Sequence, residues 1–321
     1  MRQAPRTMVI SLQKAGTHLM QGLMVQLGYK MAGVPRPSPD NVPDFGDEEL
    51  LQIASVTRSA DDWAALRKLS GDELRRATRD DWTALGWSWQ RRLGQRVVNR
   101  YGQRSYDHAD EVITNPHISY SRFADTPPGL CWIFHELDID KVDGAFLDEW
   151  VRTAAPPLFL NFRDPRDTVI SMINFLEGRT PAGYGNFYEF DVFHRTLRSM
   201  KTWEEKIDYA LRDPSFLGRD QFERSMWLLR HPDVCTVRFE DLVGPKGGGS
   251  RERQVEALSR ILTHLSSDID AQEIVDRIYN ESSWSFFKGR SGAWQEHFTD
   301  RNAERFREQF GDLVEQYGYT W

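Results

Sequence analysis

Apolar residues recur along the chain with two alternating rhythms. Short, continuously apolar runs rich in β-branched and aromatic residues stand at Thr7 to Leu12 (TMVISL), Cys131 to His135 (CWIFH), Leu158 to Phe162 (LFLNF) and Val234 to Phe239 (VCTVRF). Runs of this kind predict buried strands. After the first, QKAGTH leads into LMQGLMVQLG, whose apolar residues return at helical spacing, and after the third, RDPRDTVISMINFL turns directly into a helix. Each is a strand, a tight loop and a helix. Further helices are expected around Phe146 to Thr153, through Leu229, from near Arg251 and at the end of the chain. Strands alternating with helices predict an α/β fold, a parallel sheet flanked by helices, with ligands at the carboxyl ends of the strands.

Between these units the pattern changes character. Val34 to Pro43 is rich in proline, and the charged, Trp-rich region from Asp47 to Arg100 reads as helices punctuated by Gly71, Gly86 and Gly94, with Asp61 as an N-cap. Tyr101 to Gly129 and Arg179 to Glu189 read as loops, and GPKGGGS as a flexible one. No internal repeat is visible. The chain is expected to be one domain over residues 1–321, with 47–100 a helical insertion after the first strand-helix unit. That insertion suits an acceptor pocket, a packed surface subdomain or a homodimer contact.

Composition narrows the classes. With 321 residues, 40% of them hydrophobic and 12% aromatic, the chain can bury a sizeable core. A formal charge of −7 provides no overall positive field for nucleic acid or an anionic membrane, so an anionic ligand requires a local basic cluster. The apolar run from Met8 to Leu12 is too short for a signal-peptide core, and no stretch has membrane-spanning length. Two cysteines, Cys131 and Cys235, make neither a disulfide framework nor a cysteine zinc site, which points to a reducing, cytoplasmic location.

Two loops carry candidate chemistry. SLQKAGTH places Lys14, Gly16 and Thr17 where a strand hands over to a helix N-terminus, an arrangement that suits an anion; an ordinary turn with an exposed lysine is the alternative. The Walker pattern GxxxxGK[ST] is absent. NFRDPRDTVIS puts Arg163 at a strand end and Ser171 eight positions on, two turns into the following helix and so on the same face, which suits a phosphate dianion. The alternative there is an arginine paired with Asp164 or Asp167.

Lys-x-Gly-Thr after the first strand, Arg-Asp-Pro-Arg-Asp-x-x-x-Ser after a later one, VRFEDL, and KGRSGAWQEHFT from Lys288 to Thr299 stand in one order over nearly the whole chain. In this they resemble the PAPS-dependent sulfotransferases of soluble, bacterial type, where PAPS is 3'-phosphoadenosine-5'-phosphosulfate. The resemblance implies a P-loop-like fold in which Lys14, Ala15, Gly16, Thr17 and His18 cradle the 5'-phosphosulfate. Arg163 and Ser171 would hold the 3'-phosphate, with the backbone at Lys288 and Gly289 closing over it. It also assigns His135 as the base facing the acceptor. Where the family has a tryptophan after the loop threonine, this chain has Leu19, so Trp132, Phe239 or Trp294 is left to stack on adenine. Phe287 replaces an arginine, for which Arg290 is a candidate substitute.

Sulfuryl transfer needs in-line geometry and stabilisation of charge on the leaving oxygen. A sulfuryl group carries less negative charge than a phosphoryl group, so Lys14 takes the role that Mg²⁺ has in kinases and no metal is required. His135 would accept the proton of an acceptor hydroxyl, leaving 3'-phosphoadenosine-5'-phosphate (PAP). The acceptor is expected to be a natural-product alcohol or phenol, with an amine or a carrier-protein-tethered acyl chain as further options. The rival functions are a small-molecule kinase of the same fold group and a non-catalytic nucleotide-binding protein.

Overall fold

The structure, a computed structural model, describes residues 5–33, 44–94, 121–179, 190–216, 218, 220–278 and 289–321. The four apolar runs are strands: β1 (Thr7–Ser11), β3 (Leu130–Phe134), β4 (Leu158–Phe162) and β5 (Val234–Arg238). His135 falls in a bend just beyond β3, and Phe239 opens the short helix Phe239–Leu242 that follows β5. A further strand, β2 (Lys30–Gly33), escapes the sequence pattern because KMAG opens on lysine and closes on glycine. Pairing with β3 defines it, Met31 lying opposite Cys131 and Ala32 opposite Trp132.

The strands lie in the order β2-β3-β1-β4-β5. β1 and β3 run parallel, with Thr7 opposite Cys131 and Ile10 opposite Phe134. The Met8 N–H donates to the Pro157 carbonyl and the Leu12 N–H to the Asn161 carbonyl, so the bonds step along both segments together, as a parallel pair requires. Every residue of β1, β3 and β4 is buried, the mark of a parallel sheet covered on both faces. The strand order turns at β1, with β2 and β3 on one side and β4 and β5 on the other. Ligands of open α/β sheets bind at the carboxyl ends beside such a point.

Two compact units divide the chain, residues 1–10 with 21–158 and residues 11–20 with 159–321. In the first, residues 47–94 of the charged region fold into α2 (Asp47–Thr57), α3 (Ala60–Leu66), α4 (Gly71–Ala77) and α5 (Asp81–Arg92), with 95–100 outside the described residues, and α5 packs on β2 and α2. Ser59, not Asp61, caps α3: its hydroxyl accepts the Asp62 N–H, and Asp61 lies one residue inside the helix. Gly86 lies within α5 rather than ending it. The aromatic centre of this unit is Trp89, Phe123, Trp132 and Phe146, in edge-to-face contacts.

In the second unit α7 (Pro165–Leu176), α8 (Asp191–Ser199), α9 (Trp203–Arg212) and α16 (Asp300–Phe310) surround Ile170, Ile173, Leu197, Ile207, Leu211 and Phe306. Asp164 caps α7 by accepting the Arg166 N–H, and Pro165 occupies the first helical position. That start leaves Arg163 in the turn after β4 rather than on the helix. GPKGGGS holds one tight turn, Pro245–Gly247, with Gly244 and Gly247 buried and Pro245, Lys246 and Gly248 exposed. A Cβ on Gly247 would lie 2.4 Å from the Gly289 carbonyl oxygen, and Ser291 N–H donates to the Gly247 carbonyl at 3.0 Å. Among the described residues no helix is long and apolar enough to cross a membrane.

Candidate active site

Between β1 and α1 (Thr17–Gln26) the chain makes one tight turn. The Ala15 N–H donates to the Leu12 carbonyl at 3.1 Å, and the Gly16 carbonyl accepts the Leu19 and Met20 N–H groups. Lys14 and Gly16 both hold left-handed backbone, with φ of +66° and +86°. Glycine is required at position 16, where a Cβ would stand 2.5 Å from the Phe239 ring. Gly16→Ala is therefore expected to cost roughly 1–3 kcal/mol of unfolding free energy in a denaturant titration. Wild-type stability in that titration would show that the turn can draw back from Phe239. Ala15 and Thr17 are buried, and His18 is half-buried at the start of α1.

The turn is tied to the sheet by buried polar groups. Ser11 Oγ donates to Asn161 Oδ1 at 2.8 Å and lies 2.8 Å from Thr17 Oγ1. A hydroxyl has one proton, so Thr17 donates to Ser11, and its proton points into the sheet. Asn161 Nδ2 donates onward to the Val237 carbonyl at 3.3 Å. Sequence reasoning assigned Asn161 no role, although a lone amide inside the apolar run LFLNF was a signal for one.

After β4, Arg163 is buried. Its guanidinium donates to Asp167 Oδ2 at 3.2 Å and to the Arg290 carbonyl, and it lies 4.6 Å from the centre of the Phe239 ring. The Asp167 pairing is thus present, but the Arg163 Nε–H is buried without a partner. Asp167 also accepts the Gly292 N–H at 2.7 Å and the Trp294 N–H at 2.9 Å, which folds the C-terminal motif onto this turn. The family resemblance had pointed to closure at Lys288 and Gly289. Lys288 lies outside the described residues, Gly289 has a φ of +55°, and it is the Arg290 carbonyl that meets Arg163. The Arg290 side chain is exposed. Ser171 lies half-buried on α7. Because Arg163 precedes that helix, their eight-residue spacing does not set them on one helical face.

Asp164 accepts a bidentate pair from Arg166, at 2.9 Å and 2.6 Å, and Arg166 stacks on Trp294 with 3.8 Å to the ring centre. Glu240, its carboxyl pushed up by burial, accepts the Asp164 N–H at 3.1 Å and the Tyr319 hydroxyl at 2.7 Å. These bonds hold the turn that carries Arg163.

Lys14 and Arg163 act on each other. Burial, and then the positive charge of Arg163, bring the Lys14 pKa down to about 8. The Lys14 ammonium rests 4.5 Å from the centre of the Phe175 ring. Two cations close enough to repel, one with a dry unpaired N–H, form a site that an anion stabilises. The donors suit phosphate or sulfate oxygens, and the described residues contain no cluster of metal-ligating side chains.

The aromatic alternatives are separated by burial. Trp132 is 0% exposed within the aromatic centre of the first unit, so it has no face to offer adenine. Trp294 gives one face to Arg166. Phe239 touches both Gly16 and Arg163 and is the ring that belongs to the two turns. His135 is half-buried directly after Phe134, at the carboxyl end of β3.

A parallel five-stranded sheet, with a basic turn after its central strand and an arginine turn after the next, makes this an α/β protein with a P-loop-like arrangement of strands and turns. It is similar to the crystal structure of mouse sulfotransferase SULT7A1 complexed with PAP, at 13% identity and a TM-score of 0.50, over 98% of this chain and 89% of that one. No family model matches the chain, and no curated protein matches it in sequence. At that identity the likeness is one of fold.

Proposed function

We propose that this protein transfers a sulfuryl group from PAPS to a hydroxyl of a small-molecule acceptor and releases PAP. The observation that carries the proposal is the coupled pair Lys14 and Arg163, on the turns after β1 and β4, with the Arg163 Nε–H buried and unpaired. PAPS has two anionic ends, and the chain has two basic turns. The 5'-phosphosulfate is assigned to Lys14, Ala15, Gly16, Thr17 and His18. The 3'-phosphate is assigned to Arg163, Ser171 and the segment of Lys288, Gly289 and Arg290, with Phe239 beside the nucleotide. The fold shared with a sulfotransferase solved with PAP supports the same nucleotide here.

In the transfer, the acceptor oxygen bonds to sulfur while the bond from sulfur to the bridging oxygen breaks. The electron pair stays on the 5'-phosphate, where Lys14 stabilises it, and the acceptor proton passes to His135. A natural-product alcohol or phenol is the acceptor class proposed. The free thiols Cys131 and Cys235 support a reducing, cytoplasmic setting.

Thermal shift tests the nucleotide: PAP is expected to stabilise the protein and ATP with Mg²⁺ not to. The reverse would favour a kinase, and no shift with either would favour a non-catalytic protein. Release of PAP from PAPS across a panel of alcohols and phenols then tests transfer. Arg163→Ala is expected to weaken PAP binding by about 10- to 100-fold, the scale of hydrogen bonds to a charged group. Its turnover at saturating PAPS should change little, because the 3'-phosphate is remote from the sulfur. Unaltered PAP affinity by calorimetry would remove Arg163 from the site.

A further inference from the structure

We infer that Gln221 is a positioning residue for Lys14: its side-chain amide grips the peptide of Gln13 and so sets the turn that presents the lysine. The catalytic consequence rests on the sulfuryl-transfer proposal; the grip itself does not.

The Gln13 N–H donates to Gln221 Oε1 at 2.6 Å, and Gln221 Nε2 donates back to the Gln13 carbonyl at 3.3 Å. A primary amide offers one acceptor and two donors on one plane, so it engages both polar groups of a residue as a neighbouring strand would. Gln13 lies just past the end of β1, where sheet pairing no longer holds it, and immediately before Lys14. Lys14 holds φ +66°, a conformation that is strained for a residue with a side chain and persists only where its surroundings fix it.

The rest of the turn is held elsewhere. Ser11, Thr17 and Asn161 fix its ends through side chains, and Ala15 closes it on Leu12. Gln221 supplies the restraint in the middle. It is buried, at the start of the short helix α10 (Gln221–Arg224). A Cβ on Gly218, which has a φ of +78°, would lie 2.9 Å from Gln221 Nε2. The chain before the helix thus runs against the amide and limits its rotation. Gln221 stands outside every motif that marked the site, and both of its bonds go to the turn rather than to its own helix.

Gln221→Met keeps the volume and burial while removing both bonds; Gln221→Glu keeps the shape but replaces the donor with a charged acceptor facing the Gln13 carbonyl. Hydrogen exchange by mass spectrometry on the intact chain reads the grip directly. In Gln221→Met the peptide covering Leu12 to Met20 should exchange about tenfold faster or more, with β4 and α7 unchanged. PAP affinity should fall by up to about tenfold, because the loosened turn must then be ordered on binding. The pH at which kcat/KM declines should move upward as Lys14 gains solvent, an effect that a packing residue elsewhere would not produce. Gln221→Glu should lie between Gln221→Met and the wild type. Wild-type exchange of that peptide in folded Gln221→Met would overturn the inference. If that variant does not fold, wild-type exchange of the same peptide in folded Gln221→Leu, which also removes both bonds, would do so. A wild-type protein that binds no PAP would sink the sulfuryl-transfer proposal, while the exchange result would still decide the grip.

Discussion

Lys14→Ala is expected to lower turnover at saturating PAPS by about 10²- to 10³-fold while leaving the protein folded. Alanine at φ +66° meets the same backbone penalty as lysine, so the turn itself is not further strained. What is lost is a preorganised cation at the oxygen where charge develops, an effect of that size where it has been removed from other sites. Arg163 does not substitute, because it is assigned to the 3'-phosphate, remote from the bridging oxygen, and two of its hydrogen bonds go to Asp167 and the Arg290 carbonyl. A loss of less than about tenfold would remove Lys14 from the transfer step.

The pH profile gives a second reading of the same residue. Burial and Arg163 hold the Lys14 pKa at about 8, and the cation is the useful form. The group is charged below that pH and neutral above it, so kcat/KM should fall as pH rises through about 8. Bound anion favours the cation, so the fall in kcat should lie at higher pH. Lys14→Arg would keep the charge at all working pH and should abolish this limb, even where its absolute rate is poor. A limb that survives in Lys14→Arg would belong to another group.

Much of the candidate site was legible because its turns follow buried parallel strands. TMVISL and LFLNF are apolar throughout, so their ends, and hence Lys14 and Arg163, are marked by the first return of polar residues. β2 was not legible, since KMAG becomes a strand only through its pairing with β3. The choice among aromatic platforms also depended on tertiary structure. Trp132 and Phe239 look alike in sequence, yet one is enclosed by Trp89 and Phe123 and the other touches Gly16 and Arg163. Asn161 left a trace as a polar residue in an apolar run. Gln221 left none, because its two partners are backbone groups of a residue far away in sequence, and backbone groups are the same at every position.

His135→Ala and His135→Asn are expected to reduce transfer to a hydroxyl by about 10²- to 10⁴-fold, the range for loss of a general base, with PAP affinity near the wild-type value. The split is the informative part. His135 follows β3, whereas the groups assigned to the nucleotide follow β1, β4 and β5, so loss of the imidazole should spare nucleotide binding. A histidine that served only packing would lower the melting temperature and weaken PAP binding together with activity. Activity, PAP affinity by calorimetry and melting temperature must therefore be measured on the same preparation. The asparagine variant retains hydrogen bonding but cannot take up a proton at working pH, so it separates the base from a residue that merely orients the acceptor. Near-normal turnover in folded His135→Asn would transfer the role to another group, with His18 next to be tested, because it sits in the turn assigned to the phosphosulfate.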